Sequence, residues 1–489
     1  MILQGKTEGW LRSPVDALPV WAAFNGVSFN NIKIAPIPGL EDRGSTVVAQ
    51  RQLTGGSEPP LMVVPQDLIL SLERIREHAK ADGDFRAVLE GLEDFGRTAR
   101  GAILSFLLMQ SFTVCSSMEP RRGVSTPFAE YVKFLPLELL PTFWNDSERD
   151  LLRGTTLAPA INAKLNSLYR EFDRLRAATA GIPWCVESWW NEVDGLLSFD
   201  DWLQVDAMYR SRALEFPGVG DCMVPGIDMS NHASGEKTGA IYEVDDQGNA
   251  LLLLREGTTI SADSEITITY GDNKGACEML FSYGFIEDDM HTARELFLSL
   301  SIPEDDPLGH AKTIVADCPP GFKIVDTEDG IAWEGDYVWL LCVNEEDGLC
   351  FKVQQTVQGE RELVATWKNE EIDSFANLKA ILEEDDMWNL FRLRATVILQ
   401  ERIATQLTEL YGCEDRVNQV DHGEETEVRT RVWQLTMKLR DLEGQLMEKA
   451  YSYFEDVKNE LAQSKTVAEY LATVSSSANQ VEEGIEDFS

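Results

Sequence analysis

Basic charge, clustered cysteine or histidine, and long apolar runs are all scarce in this chain of 489 residues. Its 43 Lys and Arg face 83 Asp and Glu, a net charge of −40 with pI ≈ 4.4. A field of that sign repels nucleic acid and anionic membrane and attracts basic proteins. Direct nucleic-acid or membrane binding is therefore not expected, and a Lys- and Arg-rich protein is the expected partner. The closest two of the eight cysteines, Cys342 and Cys350, stand eight positions apart, so there is no C-x-x-C and no zinc-ribbon spacing. The histidines (His78, His232, His291, His310, His422) form no H-x-x-x-H, and no metal is expected. Gly218 and Gly220 run into Asp221, Cys222 and Met223 instead of a dinucleotide fingerprint. Gly235-Glu236-Lys237-Thr238 lacks the upstream glycine of a phosphate loop, and no G-x-S-x-G elbow exists. Residues 102–109, the most apolar stretch, are too few to span a bilayer. The first residues lack the basic cap and unbroken apolar core of a signal peptide, so a cytoplasmic or nuclear protein with reduced thiols is expected.

What is present is a globular composition, 44% hydrophobic and 26% charged. At about 150 residues per domain the length suggests roughly three domains, or a large one with an accessory. Residues 31–35 (NIKIA) and 46–51 (TVVAQR) are short, β-branched and bounded by Pro or Gly, and predict strands. Leu68, Leu72 and Ile75 predict an amphipathic helix over 67–79. From about 102 to 202 the pattern is helical, with Ile161, Leu165, Leu168 and Phe172 in register and the Trp184, Trp189, Trp190 and Trp202 cluster behind them. Residues 240–244 and 250–255 predict strands joined through the turn Asp245-Asp246-Gln247-Gly248, and 265–270 (EITITY) alternates as a half-buried strand should. The acidic, Pro-bounded stretch 303–307 marks a boundary, after which helix is expected to dominate. Val428, Val432, Leu435, Leu439, Leu442, Leu446, Ala450, Tyr453 and Val457 form a sustained heptad. It reads as a long helix packed on a neighbour in its own domain, and the chain as a monomer. Residues 475–489, Ser-rich and then acidic, predict a disordered tail.

The chemistry concentrates in residues 209–285. RSR (Arg210 to Arg212) precedes VPGIDMSNH (Val224 to His232), and EITITYGDNKGACEMLFSYGF follows. Asn231 and His232 supply polar groups at the end of an apolar run, where a ligand could be hydrogen-bonded. Tyr270 ends a predicted strand before Gly-Asp-Asn, and a second phenol, Tyr283, precedes Gly284 and Phe285. Two phenols and an Asn-His pair form no charge relay. They suit chemistry that needs orientation and desolvation more than strong acid–base work.

RSR, then V-P-x-x-D-x-x-N-H, then Tyr-Gly, then N-K-x-x-x-E-x-L-x-x-Y-G-F resembles the SET-domain protein lysine methyltransferases. The subclass is that of Rubisco large-subunit methyltransferase and the ribosomal-protein lysine methyltransferases. The resemblance is specific over residues 205–290 and looser over 25–55. It implies an α+β fold: a pseudoknotted, β-rich SET domain over 1–304 with a helical insertion at about 100–205. A mainly α-helical substrate-binding domain over 305–474 would follow, ahead of the tail. It also implies S-adenosylmethionine as cofactor and a lysine-bearing, basic protein such as a ribosomal protein as substrate. Tyr270 matches the catalytic tyrosine and Tyr283 a tyrosine of the lysine channel. Arg212 matches the arginine at the cofactor carboxylate, a pairing that suits a guanidinium, and Asp228 belongs to the same cofactor-binding motif. Asn231 and His232 match the pair at its amino-acid end and adenine, and Phe285 the aromatic residue near adenine. The cofactor loop is Arg43-Gly44-Ser45-Thr46, where Thr46 replaces the second glycine of G-x-G and puts a Cβ where the family has bare backbone. The alternatives within this resemblance are a non-catalytic SET-fold module that binds basic proteins, and methylation of a side chain other than lysine, such as histidine.

Overall fold

The computed structural model describes residues 1–37, 44–115, 123–137, 140–192, 195–355, 360–423 and 426–473. Arg43 and the 475–489 tail lie outside them. The chain divides into two compact units. One comprises 1–144, 160–274 and 280–284; the other comprises 145–159, 275–279 and 285 onward.

In the first unit, apolar alternation builds small antiparallel sheets. The largest runs in the order Ser28–Phe29, Met62–Val64, Ala250–Leu254, Ala240–Val244. The last two strands are a hairpin whose turn is closed by the Asp245 carboxylate, which accepts from the amides of Gln247 and Asn249. Ile32–Pro36 pairs with Ser45–Ala49, close to the strands predicted there. Val47, Met62, Val64, Leu252, Ile266 and Ile268 share one core. A second core surrounds the helix Ala99–Thr113, apolar on every side and accordingly buried, against Trp189 and Trp202. The helix predicted over 67–79 starts later: residues 66–68 form a 3₁₀ turn, and the α-helix Leu72–Ala81 is capped by Ser71. The predicted strand 265–270 forms no continuous ladder. Ile266 and Ile268 are buried as the alternation requires, but their backbone bonds go to different neighbours.

The second unit is mainly helical, as expected beyond the boundary, and carries two small sheets besides. It contains the sheet Glu295–Ser299, Gly321–Thr327, Gly330–Glu334 and the sheet Leu349–Gln355, Arg361–Trp367, Glu370–Glu371. The first of these draws a strand from each side of the acidic 303–307 stretch. Trp388–Tyr411 and Thr430–Ala462 pack antiparallel, with Gln400 reaching Glu455 and Tyr411 reaching Glu448. The heptad holds from Val432 to Ala450 and then slips: Phe454 is buried, whereas Tyr453 is 40% exposed. A straight helix of 3.6 residues per turn drifts away from a 3.5-residue repeat, so the apolar face moves on by one position.

Candidate active site

The first unit brings together the strand Ser45–Ala49, the turn 226–233, the segment 264–270 and the end of the helix Phe199–Arg212. Ile266 donates to the Val47 carbonyl at 2.8 Å, and Ala49 donates to Ser264 at 3.0 Å. Two residues on, the partner changes. Ile268 donates to the Asn231 carbonyl, Ala233 donates back to Ile268, both at 3.0 Å, and His232 bridges Ile268 in parallel. Residues 264–268 are thus clasped between segments far apart in sequence. That is why an alternating run here is not an ordinary strand.

This clasp fixes Tyr270. Its amide donates to His232 Nδ1 at 2.9 Å, and its hydroxyl donates to the Ser230 carbonyl at 2.7 Å. The His232 ring stacks on it at 5.1 Å, and the Tyr283 ring lies 4.6 Å away on centroids. A phenol that donates its proton to a carbonyl keeps its lone pairs to accept from another N–H. Because Nδ1 accepts, neutral His232 carries its proton on Nε2. The Lys274 ammonium stands 5.9 Å from the Tyr283 centroid, within cation–π range, and its stem folds over Gly271 so closely that a Cβ there would lie 3.0 Å from Lys274 Cε. Asp272 accepts from the Gly235 amide and the Thr269 hydroxyl, which hold its carboxyl below the usual carboxylate range.

Arg212 ends its helix with Nη1 donating to the Asp228 carbonyl at 2.9 Å and lying 3.6 Å from Met229 Sδ. Asp228 is turned inward, at 5% exposure, where it bonds to the Tyr131 phenol and accepts from the Gly226 amide at 2.8 Å. Burial holds its carboxyl above the usual range, opposed by Arg212 and Tyr131. The companion arginine, Arg210, is structural: it donates to the Phe281 carbonyl at 2.7 Å, lies over the Phe281 ring, and faces buried Asp206. Asn231 donates from Nδ2 to Glu265 at 2.7 Å and from its amide to Thr46 Oγ1 at 3.3 Å. Thr46 is fully buried, so its side chain fills the interior and ties the glycine-loop strand to the Asn-His turn. Gly44 is left-handed (φ 76°), with open space where a Cβ would stand, and Ser45 pairs with Pro36. Phe285, half-buried, belongs to the second unit. The structure thus gathers Thr46, Arg212, Asp228, Asn231, His232, Tyr270 and Tyr283.

Sequence reasoning missed Glu265, Ser230 and Tyr131. Glu265 was legible as the polar start of the alternating run. Ser230 acts through its carbonyl and Tyr131 through a fold contact, so neither left a pattern. Among the described residues no group of His, Cys, Asp and Glu is arranged to hold a metal, and no helix is long and apolar enough to cross a membrane.

No family model matches the chain. It is 24% identical over 443 residues to the SET domain-containing protein 8 of Schizosaccharomyces pombe, covering 89% of this chain and 94% of that one. It is 26% identical over 258 residues to the chloroplastic [fructose-bisphosphate aldolase]-lysine N-methyltransferase of Arabidopsis thaliana, covering 50% of this chain and 52% of that one. Against the Rubisco large-subunit N-methyltransferase of Pisum sativum it is 30% identical over 228 residues, covering 42% and 44%. A crystal structure of the SET domain of LSMT bound to methyl-lysine and AdoHcy superposes with TM-score 0.63 at 19% identity, over 92% of this chain and 94% of that one. Rubisco LSMT bound to AdoMet gives 0.62 at 18% identity, with the same coverage. The chain has the α+β SET-domain fold of the Rubisco large-subunit methyltransferase type.

Proposed function

We propose that this protein is a protein-lysine N-methyltransferase that transfers a methyl group from S-adenosylmethionine to the ε-amine of a lysine. The observation that carries the reading is the Tyr270 clamp: a phenol fixed at its amide, ring and hydroxyl, with a second phenol against it. The residues present fit the cofactor. Arg212 offers a guanidinium for a carboxylate, and Gly44 leaves backbone open to close approach. The Ser230 hydroxyl, buried beside the clamp without a hydrogen-bond partner, is a polar atom that a bound group would satisfy. Arg212, Asn231, His232 and the 44–46 loop would hold S-adenosylmethionine, which supplies an already activated methyl group.

The chain's own task is to deliver a neutral, oriented amine. A free lysine, with pKa about 10.4, is almost wholly ammonium at neutral pH and has no lone pair to attack with. An amine packed between the partly buried rings of Tyr270 and Tyr283 would lose hydration, which disfavours the charged form. The Tyr270 oxygen accepts an amine N–H and fixes the direction of the lone pair. The lysine N-methyltransferase among the relatives, and the methyl-lysine bound in the similar LSMT structure, support lysine as the acceptor. The net charge of −40 supports a basic substrate, of which ribosomal proteins are an example. In this reading residues 1–304 form the catalytic region and 305–474 bind the substrate, in a monomer of the cytoplasm or nucleus. The test is calorimetry with S-adenosylhomocysteine, followed by methyl transfer from labelled S-adenosylmethionine to fractionated basic proteins. Micromolar binding lost in Asn231→Ala, with label on lysine, is expected. A folded protein that shows neither binding nor transfer would overturn the reading.

A further inference from the structure

We propose that Tyr131, on the helix Pro127–Phe134, is a positioning residue for this site: its phenol anchors the turn from which Arg212 and Tyr270 are both held. The proposal rests on the methyltransferase reading. Tyr131 is fully buried, and its hydroxyl donates to the Asp228 carboxylate in a short hydrogen bond. The other Asp228 oxygen accepts from Gly226, which is left-handed (φ 94°) and so close to Met62 that a Cβ would fall 2.8 Å from its sulfur. The turn is therefore pinned on one side by the carboxylate and closed on the other by Met62. From it the Asp228 carbonyl receives Arg212, the Ser230 carbonyl receives Tyr270, and the Asn231 amide bonds Thr46. A carboxyl at this depth is shielded from water that could replace a lost donor, so without the phenol it must shift or take up a proton, and either change alters the bonds that hold the turn. Burial, reinforced by Asp228, keeps the Tyr131 phenol protonated far above its ordinary range, and so a donor at any working pH. Trp21 stacks on the Tyr131 ring at 6.2 Å, which separates what the ring contributes by packing from what the hydroxyl contributes by bonding.

The full-length Tyr131→Phe variant removes the hydroxyl alone. S-adenosylhomocysteine affinity is expected to fall about tenfold, and kcat by a similar factor, the effect of one hydrogen bond to a charged group. Trp21→Leu disturbs the same ring without touching the bond; it should lower Tm while affinity stays within about twofold. Unchanged affinity and kcat in Tyr131→Phe, or an equal loss in Trp21→Leu, would overturn the proposal. Should Tyr131→Phe not fold, hydrogen exchange of the wild type is decisive. Ligand should slow exchange in residues 127–134 together with 224–232; protection of 224–232 alone would sink the coupling. A wild type that binds no S-adenosylhomocysteine refutes the functional reading before any variant is made. The anchor itself then still has its own test, because ligand-free Tyr131→Phe should exchange faster over 224–232.

Discussion

Glu443 gives the second unit a stability that should fall as pH rises. It lies on the buried face of the helix Thr430–Ala462 with no exposed surface, and accepts from the Thr156 amide at 2.9 Å and the Thr156 hydroxyl at 2.5 Å. Burial raises its pKa to about 7, against the opposing pull of Thr156 and Arg440. The unfolded chain ionises this group near its ordinary value of 4.5. A carboxyl raised in the folded state contributes no penalty below pH 4.5, where both states hold the proton. Between 4.5 and 7 the unfolded state releases it first, so stability declines with pH, and above 7 the loss is constant. Two and a half pH units correspond to about 3 kcal/mol. Glu443→Gln mimics the protonated acid, since its amide can donate to the Thr156 hydroxyl and accept from the Thr156 amide. The variant should match the wild type at pH 4.5 and be more stable at pH 8, with a calorimetric melting temperature higher by several degrees. A loss at pH 8 would mean that Glu443 is held as an anion by Arg440, and an equal shift at both pH values that its pKa is not raised by folding; either would refute the reasoning.

Tyr270→Phe removes the oxygen proposed to orient the amine; kcat should drop about 100-fold with S-adenosylhomocysteine affinity retained, and full turnover would dissociate Tyr270 from the chemistry. Arg212→Ala should instead weaken that affinity, read by calorimetry, by about tenfold or more. Thr46→Gly restores the glycine pattern of the resemblance but leaves the Asn231 amide without its acceptor; denaturant titration should show a loss of about 1–2 kcal/mol. Asp206 is buried among Lys164 at 2.8 Å, Arg100 at 2.6 Å and Arg210 at 3.4 Å. Asp206→Asn leaves Lys164 and Arg210 without their carboxylate and Arg100 with Glu171 alone, and chemical denaturation should report a loss of about 3–5 kcal/mol.

The elements legible in the sequence are those whose signal is local. The hairpin at 240–254 declares itself by alternation and a turn composition, and the Asn-His and Tyr motifs by their order along the chain. Segment 265–270 shows the limit: its alternation reports correctly which side chains are buried, yet period two says nothing about which backbone will pair, and here the partner changes midway. Two strands beyond residue 320 lack the half-buried alternation by which strands are recognised: Leu349–Gln355 is exposed over its last four residues, and Arg361–Trp367 passes from exposed to an unbroken buried run. Glu443 did leave a trace, a carboxyl beside Leu442 on an apolar stripe, and such a break in the pattern is where a titratable strut should be sought. Tyr131 left none. It meets Asp228 across 97 residues, and a bond of that kind exists only after the fold has formed. The phenol proposed to orient the amine, Tyr270, is marked by its motif, whereas its hydroxyl bonds to the Ser230 carbonyl in a turn joined through Asp228 to Tyr131. A motif can therefore point to a candidate reacting group while leaving unread the contacts around it.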